Sequence, residues 1–255
     1  MKNLLKVFVV IALLLTMNVM FSTQADAAKI MWGKTELKEG QIGKVTILAE
    51  TDLVKFNNEG KLTKVRTLKK GDEYRVYSYK AGQGGLYGVG GSSYVQKSAK
   101  IKYETPSKSK LEQLKIRNTV KDAVQTQAKT YNGNYYTATE VTTILNTNFT
   151  DSFINQYMTH RMLEEVVDGE KKYHVPGSDD SSLIVSNFSW TDKTQITYFQ
   201  KPTIDADNKK GAANYVKISE HRPNNDIDEA HIYNVILLKT SDGSYKVSDV
   251  IREWF

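Results

Sequence analysis

The 255 residues carry 35 basic and 29 acidic side chains, a net charge of +6, and no cysteine. Disulfide scaffolds, thiol catalysis and cysteine-ligated metal centres are therefore excluded. A mild positive balance with both signs interspersed fits a soluble mixed surface or attraction to an anionic polymer such as teichoic acid.

In chain order, Lys2 and Lys6 precede an apolar run of nine residues, Val7 to Leu15, and Ala25-Asp26-Ala27 supplies a small-x-small cleavage pattern. The run is short of the ~20 residues that span a bilayer. The pattern predicts a signal peptide over 1–27 and a secreted, extracellular or wall-associated chain with no transmembrane anchor after cleavage. Removing 1–27 takes away two lysines and one aspartate, leaving +5 over about 228 residues. That length suffices for one large domain or two small ones. Cysteine-free secretion fits a Gram-positive bacterium.

From 29 to 104 the pattern is β. Val45, Ile47 and Ala49 alternate with Lys44, Thr46 and Leu48, and Asn57 to Gly60 is a turn between Val54-Lys55-Phe56 and Leu62 to Leu68. Leu68 to Tyr103 is the most distinctive stretch. A Lys-Lys-Gly-Asp turn leads into a strand with Tyr74 and Val76 on one face and Arg75, Tyr77 and Tyr79 on the other. Six glycines in 82–91 follow, then a strand through Tyr94 and Val95. Eleven of the 16 glycines fall by Gly91. Short strands with frequent punctuation predict an all-β small barrel over 29–104.

Thr105-Pro106-Ser107 marks the boundary, with Thr105 as cap and Pro106 in the first turn of a helix over 108–129. Thr137 to Glu140 is a capping-box pattern, and Phe149, Phe153 and Tyr157 repeat at helical spacing. From 182 the period returns to two. Leu183 to Trp190, Thr194 to Gln200, Asn214 to His221, His231 to Lys239 and Tyr245 to Trp254 are the expected strands, the last pair joined by a turn at 241–244. The region 105–255 is thus expected to be α+β, with helices packed on an antiparallel sheet.

The stretches Met31 to Leu48, Val65 to Tyr77, Tyr87 to Val95 and Ile101 to Lys108 together resemble the bacterial Src-homology-3-like wall domains, in a variant found in secreted proteins of bacilli. That resemblance implies an accessory domain attached to the cell wall. Phe149 to Met162 and Val235 to Trp254 are similar in element order to the cone-shaped nuclear-transport-factor-2-like fold. That fold hosts enzymes and binding modules alike, so it implies no activity.

No catalytic or metal motif stands out. The four histidines lack zinc spacing, and no nucleophile elbow occurs. The glycine-rich stretch lacks the lysine of a phosphate loop. The acidic loops at 205–208 and 224–229 lack the pattern of a calcium-binding helix–loop–helix site, and Asp179-Asp180 with His174 has nothing to position it. No cofactor, metal or catalytic residue is expected. The candidate ligand-binding residues are Trp32, Arg75, Tyr77, Tyr79, Tyr87 and Tyr94, because aromatic faces stack on sugars and the interleaved lysines pair with phosphate or carboxylate. Some of these tyrosines could equally fill a small barrel core. In a cone, Tyr157, His160, Tyr198 and His231 are candidates for the pocket, against a reading of Tyr157 as core and the histidines as solvated or hydrogen-bonded.

The expected function is that of a secreted, non-enzymatic envelope protein. Its barrel docks to peptidoglycan or teichoic acid, or to an envelope protein, and its α+β region binds a second partner; nucleic acid is not an expected partner. The alternatives are a hydrolase with a His/carboxylate site in the C-terminal cone, or a protein regulator of a cell-wall hydrolase.

Overall fold

The computed structural model describes residues 29–177, 183–204, 210–224 and 229–255. The expected signal peptide over 1–27, the Asp179-Asp180 pair and most of the two acidic loops lie outside the described residues. Among the described residues no helix is long and apolar enough to cross a membrane.

The described residues are mostly β, with three helices and several antiparallel sheets. A small hairpin comes first, β1 (Met31–Trp32) with β2 (Thr35–Glu36). A three-stranded sheet then runs in the order β10 (Ile101–Glu104), β3 (Gly43–Ile47), β6 (Glu73–Val76). A five-stranded sheet follows, in the order β5 (Leu62–Leu68), β4 (Thr51–Phe56), β9 (Ser93–Gln96), β8 (Leu86–Gly90), β7 (Ser78–Lys80). No ladder closes these sheets into the expected barrel. Instead the two share one apolar core. The three-stranded sheet contributes Val45, Ile47, Val76 and Ile101, and the five-stranded sheet Leu53, Leu68, Tyr87 and Val95. The predicted strand through Tyr74 and Tyr79 breaks at Tyr77, where the chain leaves one sheet for the other. Tyr79 therefore pairs with Tyr87 rather than continuing the face of Arg75.

Three helices follow: α1 (Lys108–Ala128), α2 (Ala138–Leu145) and α3 (Asp151–Arg161). The Ser107 side chain caps α1 by accepting from Lys110 N, so Thr105 and Pro106 stand outside the helix. Thr137 and Glu140 form the anticipated reciprocal capping box of α2, and Thr150 caps α3. A hairpin absent from the sequence expectations comes next, β11 (Leu163–Val167) with β12 (Glu170–His174). It turns on Asp168 and Gly169, both at positive φ.

The large antiparallel sheet has the order β13 (Gln195–Ile204), β14 (Lys210–Arg222), β15 (His231–Lys239), β16 (Tyr245–Trp254). Phe149, Phe153, Ile154 and Tyr157 pack on Val216, Ile218, Val235 and Leu237 in one core, so the helices cover one face. Residues 183–190 form no strand. They lie against that same face with no ladder of their own, and Val185, Phe188 and Trp190 are buried in the core.

Each apolar core draws on one side of Pro106 alone. Between the halves, Lys110 Nζ donates to Met31 O at 2.9 Å and Asn118 Nδ2 to Glu39 Oε2 at 3.1 Å.

Candidate functional site

In the N-terminal half the candidate aromatics fall into three separate places. The first is a tyrosine ladder. Tyr79 on β7 and Tyr87 on β8 are cross-strand partners with ring centroids 5.2 Å apart, and Tyr87 stacks on Tyr103 of β10 at 4.6 Å and 12°. The ladder thus bridges the two sheets. Its half-buried end rests on glycine, since the Tyr103 ring occupies the space a Cβ on Gly43 would need, and the Tyr103 hydroxyl donates to Ile42 O at 3.1 Å. Burial raises the Tyr87 and Tyr103 hydroxyls above the ordinary tyrosine value, so both remain neutral donors. The outer end is open: Tyr79 is 47% exposed, and Tyr77, two residues before it, is 39% exposed.

The second place is the opposite face of the five-stranded sheet. Phe56 and Tyr94 meet edge to face at 5.5 Å, and Lys80 Nζ sits 5.1 and 5.0 Å from the two ring centroids. An ammonium held against two rings is a cation–π cluster at a partly wet surface. The third place holds Trp32 and Arg75. Lys44 Nζ lies 5.3 Å over the Trp32 ring and pairs with Glu73 at 2.8 Å, while Arg75 Nε donates to Glu36 O at 2.6 Å. These contacts fasten the first hairpin to β6, so Trp32 and Arg75 hold the fold together at this point.

The four residues expected in a cone pocket do not converge. Tyr157 is fully buried and shares a 2.7 Å hydrogen bond with Thr130, and burial drives its hydroxyl far above the usual range. His160 is exposed at the end of α3, and Tyr198 is 58% exposed on the edge strand β13. His231 is buried at the far end of β15, its Nδ1 2.8 Å from Glu229 O and its ring 4.5 Å from Trp254. A His–carboxylate contact, His174 with Glu165 at 3.0 Å, is on the β11–β12 hairpin and outside the core. No three described His, Asp or Glu residues come close enough to hold a metal ion.

What fills the space between α1 and the sheet is the segment 183–190, bound by side chains that sequence reasoning did not single out. Gln127 of α1 donates to Leu183 O at 2.9 Å and accepts from Val185 N at 2.8 Å. Tyr233 of β15 donates to Ile184 O at 3.1 Å and accepts from Ser186 N at 2.7 Å. Arg222 of β14 donates to Asn187 O at 3.0 Å, and Glu220 accepts from Ser189 N at 2.9 Å and from the Ser189 hydroxyl. The sequence signal was a polar residue set in an apolar stripe. Gln127 continues Ile116, Val120 and Ala123 on one face of α1, and Glu220 continues Val216 and Ile218 on one face of β14.

A further polar knot pins α1 to the closing hairpin. Lys239 Nζ donates to Glu112 Oε1 at 2.6 Å and the Tyr245 hydroxyl donates to the same oxygen. Burial works upward on Glu112, yet the Lys239 and Tyr245 bonds hold its carboxyl below the ordinary value.

Residues 112–204 match the model of a family described as a protein of unknown function, DUF3993. The match runs from Glu112 on α1 through β13, so it takes in Gln127 and the segment 183–190 but not β14 to β16. No curated protein and no solved structure matches the chain.

Proposed function

We propose that the chain is a secreted, non-enzymatic protein of a Gram-positive envelope that docks to a wall polymer through its N-terminal half and engages a protein partner through its C-terminal half. The N-terminal half is read as a Src-homology-3-like wall domain and the C-terminal half as a nuclear-transport-factor-2-like cone. The start of the chain is read as its export signal. The observation that carries the proposal is the tyrosine ladder with an open end at Tyr79 and exposed Tyr77 beside it in sequence. Rigid rings that need no ordering on binding are suited to stacking on sugar or peptide faces. The Lys80 cluster adds a positive charge for phosphate or carboxylate.

The test is co-sedimentation of the full chain with purified sacculi, with and without teichoic acid and across salt. Wild type pellets, and the Tyr77→Ala/Tyr79→Ala double variant loses at least about tenfold in affinity, equivalent to about 1.4 kcal/mol. Lys80→Ala reduces the salt-sensitive part, which disappears when teichoic acid is stripped. A wild-type chain that stays in the supernatant under every condition overturns the wall reading.

A further inference from the structure

We infer that the outer face of the five-stranded sheet carries a carbohydrate site, in which a polar cavity on β4, β5 and β9 takes an uncharged sugar chain. The inference deepens the wall-docking reading and rests on it, naming a glycan backbone as the part of the polymer that is gripped. The face concerned is the one turned away from Tyr87 and the core of the N-terminal half.

Three observations lead there. The first is space. Leu53 of β4 and Val95 of β9 point into the core, so their neighbours Asp52, Val54, Tyr94 and Gln96 point away from it. On that outer side lies a cavity of about 450 Å³, with Asp52, Val54, Lys64, Thr67 and Gln96 in its walls. Small-ligand sites occupy roughly 300–1,000 Å³, so the cavity is of a useful size.

The second is a β-bulge that aims two side chains into the cavity. Arg66 of β5 pairs with Leu53 and Lys64 with Val54, which leaves Val65 without a cross-strand partner. Residues three apart on a regular strand face opposite ways, yet Lys64 and Thr67 both line the cavity, opposite Val54 and Asp52. Without the extra residue only one of the two would reach it.

The third is the balance of the polar groups. The carboxylates of Glu50 and Asp52 are matched by the ammoniums of Lys64 and Lys100, so no net charge selects an ion. Lys64 Nζ pairs with Asp52 Oδ1 at 2.8 Å, which sets a donor and an acceptor side by side, as neighbouring hydroxyls of a sugar ring require. Thr67 adds a hydroxyl, and Gln96, whose Nε2 donates to Gln83 O at 2.7 Å, still has its carbonyl oxygen to offer. At one end Val54 is the cross-strand partner of Tyr94, whose ring meets Phe56 edge to face at 5.5 Å. Rings beside a charge-balanced polar cavity match the two characters of a sugar, its C–H faces and its hydroxyls. From Asp52 to Phe56 the strand runs about 13 Å at ~3.3 Å per residue, room for more than one sugar unit in line. Lys80, held on the Phe56 and Tyr94 rings, is left to meet an anionic substituent of the chain.

The experiment titrates the nitrogen-15-labelled full chain with cellotetraose and chitotetraose, two uncharged tetrasaccharides, and with glycerol phosphate as the anionic counterpart. At least one tetrasaccharide shifts the amide signals of Asp52, Lys64, Thr67 and Gln96, with an affinity that salt leaves unchanged because the ligand carries no charge to screen. The Asp52→Ala/Lys64→Ala double variant loses at least tenfold in that affinity. Both side chains are about half exposed and their pair adds little to stability, so the variant folds. A chain in which neither tetrasaccharide moves those signals overturns the inference. So does binding that survives the double variant unchanged, and so does glycerol phosphate binding at these residues in place of sugar. Sedimentation with sacculi separates the two readings. A chain that pellets but takes up no tetrasaccharide loses the sugar site and keeps wall docking. One that binds a tetrasaccharide through these residues yet stays in the supernatant keeps the sugar site and loses wall docking.

Discussion

At the residue scale, Lys44 and Glu73 show how a buried charge is kept. The Lys44 side chain is 5% exposed and its ammonium reaches Glu73 at 2.8 Å, while Glu73 also accepts from Lys34 N at 2.7 Å. Burial works upward on the Glu73 carboxyl, yet the Lys44 and Lys34 bonds leave it below the ordinary value of 4.5. A carboxyl lowered on folding stabilises the folded chain above its unfolded value and loses that contribution as pH falls through the folded one. Glu73→Gln is therefore expected to destabilise the N-terminal half by about 1–3 kcal/mol at neutral pH, since it strands the Lys44 charge. The difference from wild type shrinks below about pH 4, and urea melts at pH 7 and pH 3 measure both effects. Part of this residue-level picture was legible in the sequence. Alternation marks Tyr74 to Val76 as strand, which is part of β6, but it does not set the faces of Tyr77 and Tyr79, because the strand ends at Val76. Tyr87 lies in the core because register, which depends on the partner strand, sets its face. Gln127 and Glu220 looked like interruptions of apolar stripes, and a single sequence holds no sign of the backbone each would meet.

Elements with local causes could be read well. The capping box of α2 depends on residues three apart, and it formed as its sequence dictates. Thr137→Ala is expected to cost about 1 kcal/mol, read as a shift in denaturation midpoint with unchanged slope. The β11–β12 hairpin has a comparable local signal, Asp168-Gly169 between Val167 and Glu170, but its short and heavily charged strands carry little apolar alternation. Residues 183–190, expected as a strand, form none, for a physical reason. Alternation of apolar residues predicts an extended backbone with one buried side, whereas the buried residues here are Val185, Phe188 and Trp190. A ladder requires a neighbouring main chain, and here side chains of α1, β14 and β15 occupy that position.

For the whole molecule, two apolar cores that share no residue predict two separable unfolding units joined by polar contacts around Lys110 and Asn118. Phe153→Ala removes a fully buried ring from the C-terminal core and is expected to cost that half about 3–5 kcal/mol. Amide exchange in β3, β4 and β9 should change by less than about 0.5 kcal/mol, because additivity holds for sites with no shared partners. Equal loss of protection in both halves would show instead a single cooperative unit. The closed barrel suggested by the sequence became two sheets because the chain crosses between them at Tyr77, a break that strand periodicity alone does not reveal.

The stacked Tyr87–Tyr103 pair has an optical consequence. Two nearly parallel phenol rings with centroids 4.6 Å apart, one from each sheet, couple their electronic transitions and give a near-ultraviolet circular dichroism band that exists only while those sheets face each other. Trp190, buried in the other core, reports through its emission on the segment 183–190. With Trp32 and Trp254 replaced by Phe, the remaining Trp190 emission follows the C-terminal core, and comparing its melting curve with that of the tyrosine band tests two-state behaviour without a label.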